Sequence, residues 1–232
     1  MLRIADARTG EPAEVHRALT RVHAHVPGND TSALRVLLVA DVLARALELG
    51  GMPVLLVADP SAALRERADG LGIRSTDATV TRGGQRVLDV VGAGGPVGDG
   101  AEAGVRVEVA AVTGPEEPAA SGTALRLALL ARPRRTPAAL DAAALEEAAG
   151  LLGHWREAVA AWATRPSKPV PEHVRQALRA AWEDDLDMLA VLGVLRDVER
   201  ARDMPDGARF ETFAHADRLL GLELTREIGT PA

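Results

Sequence analysis

The chain has 232 residues, enough to bury a core without staples, and its lack of cysteine excludes disulfide frameworks, thiolate zinc sites and cysteine nucleophiles. A formal net charge of −6 excludes a nucleic-acid grip built on a broad basic surface, so only local basic patches could contact phosphate. Those patches would be made of arginine, because Lys168 is the single lysine.

The opening, MLRIADARTGEPAEVHR, has no basic leader followed by an apolar core, and no apolar run of about eighteen residues occurs, so a cytoplasmic protein is expected. A short β-rich stretch, Val22 to Val26, runs into the turn Pro27-Gly28-Asn29-Asp30. A helix follows, with Asp30, Thr31 or Ser32 as its cap and Leu34, Leu37, Leu38, Val42, Leu43 and Leu47 at helical spacing. Gly50-Gly51 ends it, and the apolar run from Met52 to Asp59 reads as a strand, which completes a β-α-β unit. A weaker helix spans Ser61 to Leu71, and strands are expected at Val87 to Val91 and Val105 to Val112. Thr113 to Gly122 reads as a linker, after which every segment is helical: 123–131, 140–163, 171–182, 187–202 and 210–220. The pattern predicts an α/β domain over residues 1–120 and an all-helical domain over 121–232.

Several stretches resemble one family. The opening LRIADARTGE is similar to the strand and threonine-containing turn that begin cysteinyl-tRNA synthetases. SALRVLLVADVLARALELGG followed by MPVLLVAD resembles that family's first helix and second strand, including the Arg35 and Asp41-Val42-Leu43 positions. TALRLALLARPRRTPAALDAAALEEAAGLLGHW resembles its helical DALR region, AAWEDDLDMLAVLGVL its Asp-Asp-Leu-Asn helix start, and GARFETFAHADRLLGLEL its ending. These stretches, in the family's order, imply a Rossmann-like, HUP-type class I synthetase core with a parallel sheet, followed by a DALR-like bundle. The mycothiol cysteine ligases share this ancestry. The chain ends shortly after Leu224-Thr225-Arg226, which is expected to leave no anticodon-reading module.

The groups that handle ATP in such enzymes are replaced. The family's His-Ile-Gly-His turn holds phosphate at a helix N-terminus, and Asp30-Thr31-Ser32-Ala33 stands in its place. The mobile Lys-Met-Ser-Lys-Ser loop should lie just before Thr123, where VTGPEEPAAS offers Glu116 and Glu117 instead of a cation. The family also binds its cysteine substrate through zinc held by cysteine and histidine, and no cysteine remains. His23 and His25 alternate along a strand and so share a face near the expected position of a zinc-binding cysteine. Two imidazoles lack a third protein ligand, so they are read as partly buried polar residues, and no metal, cofactor or catalytic residue is assigned. His23, His25, Asp30, Thr31, Ser32 and Asp59 are expected to surround a vestigial pocket.

Gly92-Ala93-Gly94-Gly95 follows a strand but opens no helix, so it is read as a connection and not a phosphate cradle. The acids from Glu183 to Asp187 are read as helix capping by Asp185 or Asp187. Arg126, Arg132, Arg134 and Arg135 form the densest basic group and the candidate RNA contact. Trp155 and Trp162 are read as core or interface packing. The expected function is a pseudo-synthetase that binds a small molecule, or a tRNA or protein partner through its helical half, without contact to a membrane. The alternative is a ligase or transferase that accepts aminoacyl-tRNA or an aminoacyl-adenylate, and residual cysteine charging ranks behind both.

Overall fold

The computed structural model describes residues 1–16, 18–74, 86–95, 104–114 and 122–229. Glu116 and Glu117 lie outside the described residues. The chain is α/β. Strand β3 (Thr20–His25) passes through helix α1 (Thr31–Leu49) to β4 (Val54–Ala58), helix α2 (Ala62–Gly70) follows, and β5 (Arg86–Gly92) and β6 (Val105–Val109) complete a parallel sheet of order β4-β3-β5-β6. Two short pairs flank it: an antiparallel pair β1 (Arg3–Ala5) and β2 (Pro12–Glu14), and a parallel pair β7 (Val112–Thr113) and β8 (Ala138–Ala139). Helices α3 (Thr123–Leu130), α4 (Ala142–Trp162), α5 (Glu172–Glu183), α6 (Met188–Arg200) and α7 (Asp206–Leu220) make up the C-terminal half.

Helix α1 is apolar on almost every face, the pattern of a helix with neighbours all round, and it lies between the sheet and α7. Asp30 caps its start, accepting from the Ala33 amide at 2.8 Å. Its end is a Schellman motif: Gly51 takes φ +77°, the Met52 amide reaches back to the Leu47 carbonyl, and the Gly51 amide reaches Glu48. The two halves share one continuous hydrophobic core, in which Leu34, Leu38 and Leu43 of α1 join Leu127, Trp155, Phe213 and Leu220. Trp155 and Trp162 both meet Phe213 edge-on, at 5.5 and 5.1 Å between ring centres, so the pair expected to pack does so around one phenyl ring.

The single strand expected from Val105 to Val112 is broken. β6 stops at Val109 because the next residue leaves the sheet: the Ala110 amide donates to the Arg134 carbonyl, and the Ala110 carbonyl accepts from Arg35. The acids before α6 do cap it, with Asp187 accepting from Ala190 at 2.9 Å. Asp185 serves otherwise. It sits at φ +55°, and its carboxylate accepts from the Ala5 amide and from Arg134, which ties the N-terminal strand to the helical half. Among the described residues no helix is long and apolar enough to cross a membrane.

Gly207, in the first turn of α7, is packed against the backbone of the α4–α5 connection, where an added Cβ would overlap the Pro166 carbonyl and lie 3.1 Å from the Lys168 amide. Backbone cannot swing away as a side chain can, so Gly207→Ala is expected to cost about 1–3 kcal/mol. The check is a lower urea midpoint at unchanged slope, whereas Gly153→Ala in α4, which has open space around it, is expected to raise the midpoint by the roughly 0.5–1 kcal/mol that alanine gains over glycine inside a helix.

Candidate functional site

In this sheet the chain leaves β3 through α1 to β4 on one side and later returns to β5 on the other. The strand order therefore reverses between β3 and β5, and ligands of open parallel sheets bind outside the carboxyl ends of strands at such a point. A cavity of about 300 Å³ lies there, with His25, Asp30, Ser32, Gly92, Ala93 and Gly95 in its wall. The glycines form its rim through a tight turn: Gly94 takes φ +70°, the Gly95 amide closes on the Gly92 carbonyl at 2.8 Å, and Ala93 is pinned to Val109.

Of the six residues expected to surround a pocket, His25, Asp30 and Ser32 line this one. The Asp30 carboxylate covers the N-terminus of α1, and the Ser32 hydroxyl accepts from the Val112 amide at 3.0 Å. Thr31 is buried and receives Arg67 at 3.0 Å, while Asp59 is exposed at the end of β4 and is not part of the wall. A helix N-terminus with its dipole already compensated by a carboxylate is a poor phosphate seat. A second negative group about 4 Å from Asp30 would meet a repulsion on the order of 4 kcal/mol at the effective dielectric near a protein surface.

His23 lies behind His25 on the sheet face, and Asp89 joins them. The parallel register sets His23 beside Asp89 and His25 beside Val91. The Asp89 Oδ1 atom is 2.8 Å from His25 Nε2 and 4.0 Å from His23 Nδ1, and the two rings lie 4.0 Å apart between centroids. Asp89 is 2 % exposed and its Oδ2 has no hydrogen-bond partner among the described residues. Burial, then the neighbouring His25, pushes the His23 imidazolium to a lower pKa than usual, against the opposing pull of Asp89. Asp89 was absent from the expected site because its proximity comes from strand register across 64 residues of sequence. Its one local signal is a lone carboxylate in the apolar strand RVLDVVG.

The arginine cluster is corrected by burial. Arg126 is fully buried in α3, where it donates to Asp41 at 2.8 Å and to the Leu220 and Leu71 carbonyls, so it cannot meet RNA. Arg134 is also buried, held by the Glu108 carbonyl and by Asp185. Arg135 is exposed and Arg132 half-buried, and both border a second cavity of about 360 Å³ between α1, α3 and the start of α6, walled mainly by Leu38, Val39, Leu129 and Met188.

No protein-family model matches the chain, and no curated protein matches it.

Proposed function

We propose that the chain is a cytoplasmic class I synthetase-like binding protein, a Rossmann-like core with a DALR-like helical half, that does not activate an amino acid with ATP. Its cleft at the carboxyl ends of β3 and β5 takes a small polar molecule without a polyphosphate tail. The observation that carries this reading is the Asp30 carboxylate seated on the N-terminus of α1, where a triphosphate would have to dock. The cavity's volume of about 300 Å³ suits a small ligand, and its wall supplies an imidazole, a carboxylate and glycine backbone for orientation. A ligase or transferase that accepts aminoacyl-tRNA is less well supported, because Arg126 and Arg134 are committed inside the fold.

The test is pyrophosphate exchange with ATP and each amino acid in turn. No exchange above the protein-free blank is expected, and robust exchange with any amino acid would overturn the reading. In parallel, Asp30→Ser keeps a capping oxygen but removes the charge. Inorganic triphosphate is expected to bind this variant at least about tenfold more tightly than the upper bound set by the parent protein, the equivalent of about 1.4 kcal/mol of relieved repulsion.

A further inference from the structure

The half-buried face of strand β3, opposite the one on which Val22 and Ala24 are buried, carries a second piece of chemistry. His23 and His25 alternate along β3 and so project from one face, and the register with β5 brings Asp89 to the same face beside His23. One ligand atom from each of the three lies within 4.8 Å of the others. We propose that His23, His25 and Asp89 form a binding site for a first-row divalent transition-metal ion, held by two imidazole nitrogens and one carboxylate oxygen with at least one coordination position open.

Three features support it. The donor set is right: two imidazoles and a carboxylate suit zinc, iron, cobalt or nickel better than calcium or magnesium, which prefer oxygen alone. The spacing is right as well. Ligands about 2.0 Å from a tetrahedral ion lie roughly 3.3 Å from each other, the observed separations of 2.8 and 4.0 Å from Asp89 Oδ1 bracket that value, and the two imidazoles bring their ligand atoms within 4.8 Å of each other. Third, the carboxylate needs a cation. Asp89 is buried with one oxygen unpartnered among the described residues, and its ion-pair partners there are the two imidazoles. A buried carboxylate is costly unless it is paired or bound to metal. All three side chains sit on central strands of the sheet, which holds them more rigidly than loops would.

The structural alternative is a plain histidine–carboxylate hydrogen bond, and metal titration separates the two. Protein treated with chelator and then desalted is titrated with Zn2+ by calorimetry and with Co2+ by visible absorption. One equivalent is expected to bind, with cobalt d–d bands of a nitrogen- and oxygen-ligated site and a rise in Tm. His23→Ala and His25→Ala are each expected to weaken binding at least about tenfold and to abolish the cobalt bands. His173→Ala, at an exposed histidine elsewhere, should leave both unchanged. Asp89→Asn should weaken binding similarly, and because that carboxylate is buried its folding is checked by circular dichroism, with the two histidine variants deciding the matter if it fails. No Zn2+ binding up to about 1 mM, or binding that survives both histidine variants, overturns the proposal. The outcome of pyrophosphate exchange has no bearing on it.

Discussion

Asp41→Asn is expected to destabilise the protein by about 3–5 kcal/mol, the cost of leaving a buried charge without its partner. The carboxylate is fully buried in α1 and collects three guanidinium groups: Arg126 Nη2 at 2.8 Å and Arg45 Nε at 2.9 Å on one oxygen, and Arg74 Nε at 2.8 Å on the other. Arg126 extends the network to the Leu220 carbonyl at the end of α7, and Arg45 reaches the Gly72 and Arg218 carbonyls. One carboxylate thus fixes α1 against α3, α7 and the turn after α2. For a chain of this size the loss should appear as a fall in Tm on the order of 10 °C. Arg126→Met should cost a similar amount, and Asp41→Asn combined with Arg126→Met less than the sum of the two, because Arg126 is then not left stranded. Additive losses would mean that the two side chains act separately.

The same network sets the acid behaviour. Burial alone would raise the Asp41 pKa, but Arg126 and then Arg45 pull harder and hold it below the ordinary carboxylate range. A carboxylate with a depressed folded pKa contributes stability that is complete above its unfolded value, near 3.9, and is lost as pH falls through the folded one. The stability gap between parent and Asp41→Asn should therefore stay level from about pH 8 to pH 5 and close below about pH 4. A gap that closes near neutrality would place the cause elsewhere.

The elements of this fold were largely legible because their signals are local. Helix α1 announces itself through Asp30, the apolar spacing and Gly50-Gly51, and the helical half through long apolar periodicity broken by Pro-rich connections. What failed was information held in long-range contacts. Nothing in VRVEVAAV says that the strand must end at Val109, because the groups that pull the chain away are Arg35 and Arg134. Nor does LRLALLARPRR say which arginines face water: Arg126 was drawn inward by Asp41, and Arg134 by Asp185 and the Glu108 carbonyl. The candidate metal site was half visible. The alternation of His23 and His25 was readable, whereas Asp89 entered only through parallel pairing.

Arg35 is another buried charge on which the architecture depends, and among the described residues no carboxylate pairs with it. Its guanidinium is 1 % exposed and donates to four backbone carbonyls: Ala110 at 2.9 Å, Thr136 at 3.0 Å, Pro133 at 2.7 Å and Arg132 at 3.3 Å. Burial, and then the nearby Arg132 charge, pulls its pKa down to about 10, still well above neutrality, so the group stays charged. The planar fork clamps the α3–β8 connection onto the strip that leaves β6, which is why β7 and β8 can pair after only two residues each. Arg35→Met would strand those carbonyls at about 1–3 kcal/mol apiece. Water entering from the adjoining cavity would re-solvate some of them, so a net loss on the order of 4 kcal/mol is expected rather than the full sum. Arg35→Lys should recover less than half of it, because an ammonium cannot span the four acceptors in one plane. The decisive measurement is amide hydrogen exchange in the lysine variant. The Ala110, Ala138 and Leu140 amides, which close this strip on Arg134, Ala111 and Thr113, should exchange at least about tenfold faster and be accelerated more than those of α5 and α6. Uniform acceleration across the chain would show that Arg35 supports global stability alone, and unchanged exchange at the three amides would remove it as the clamp.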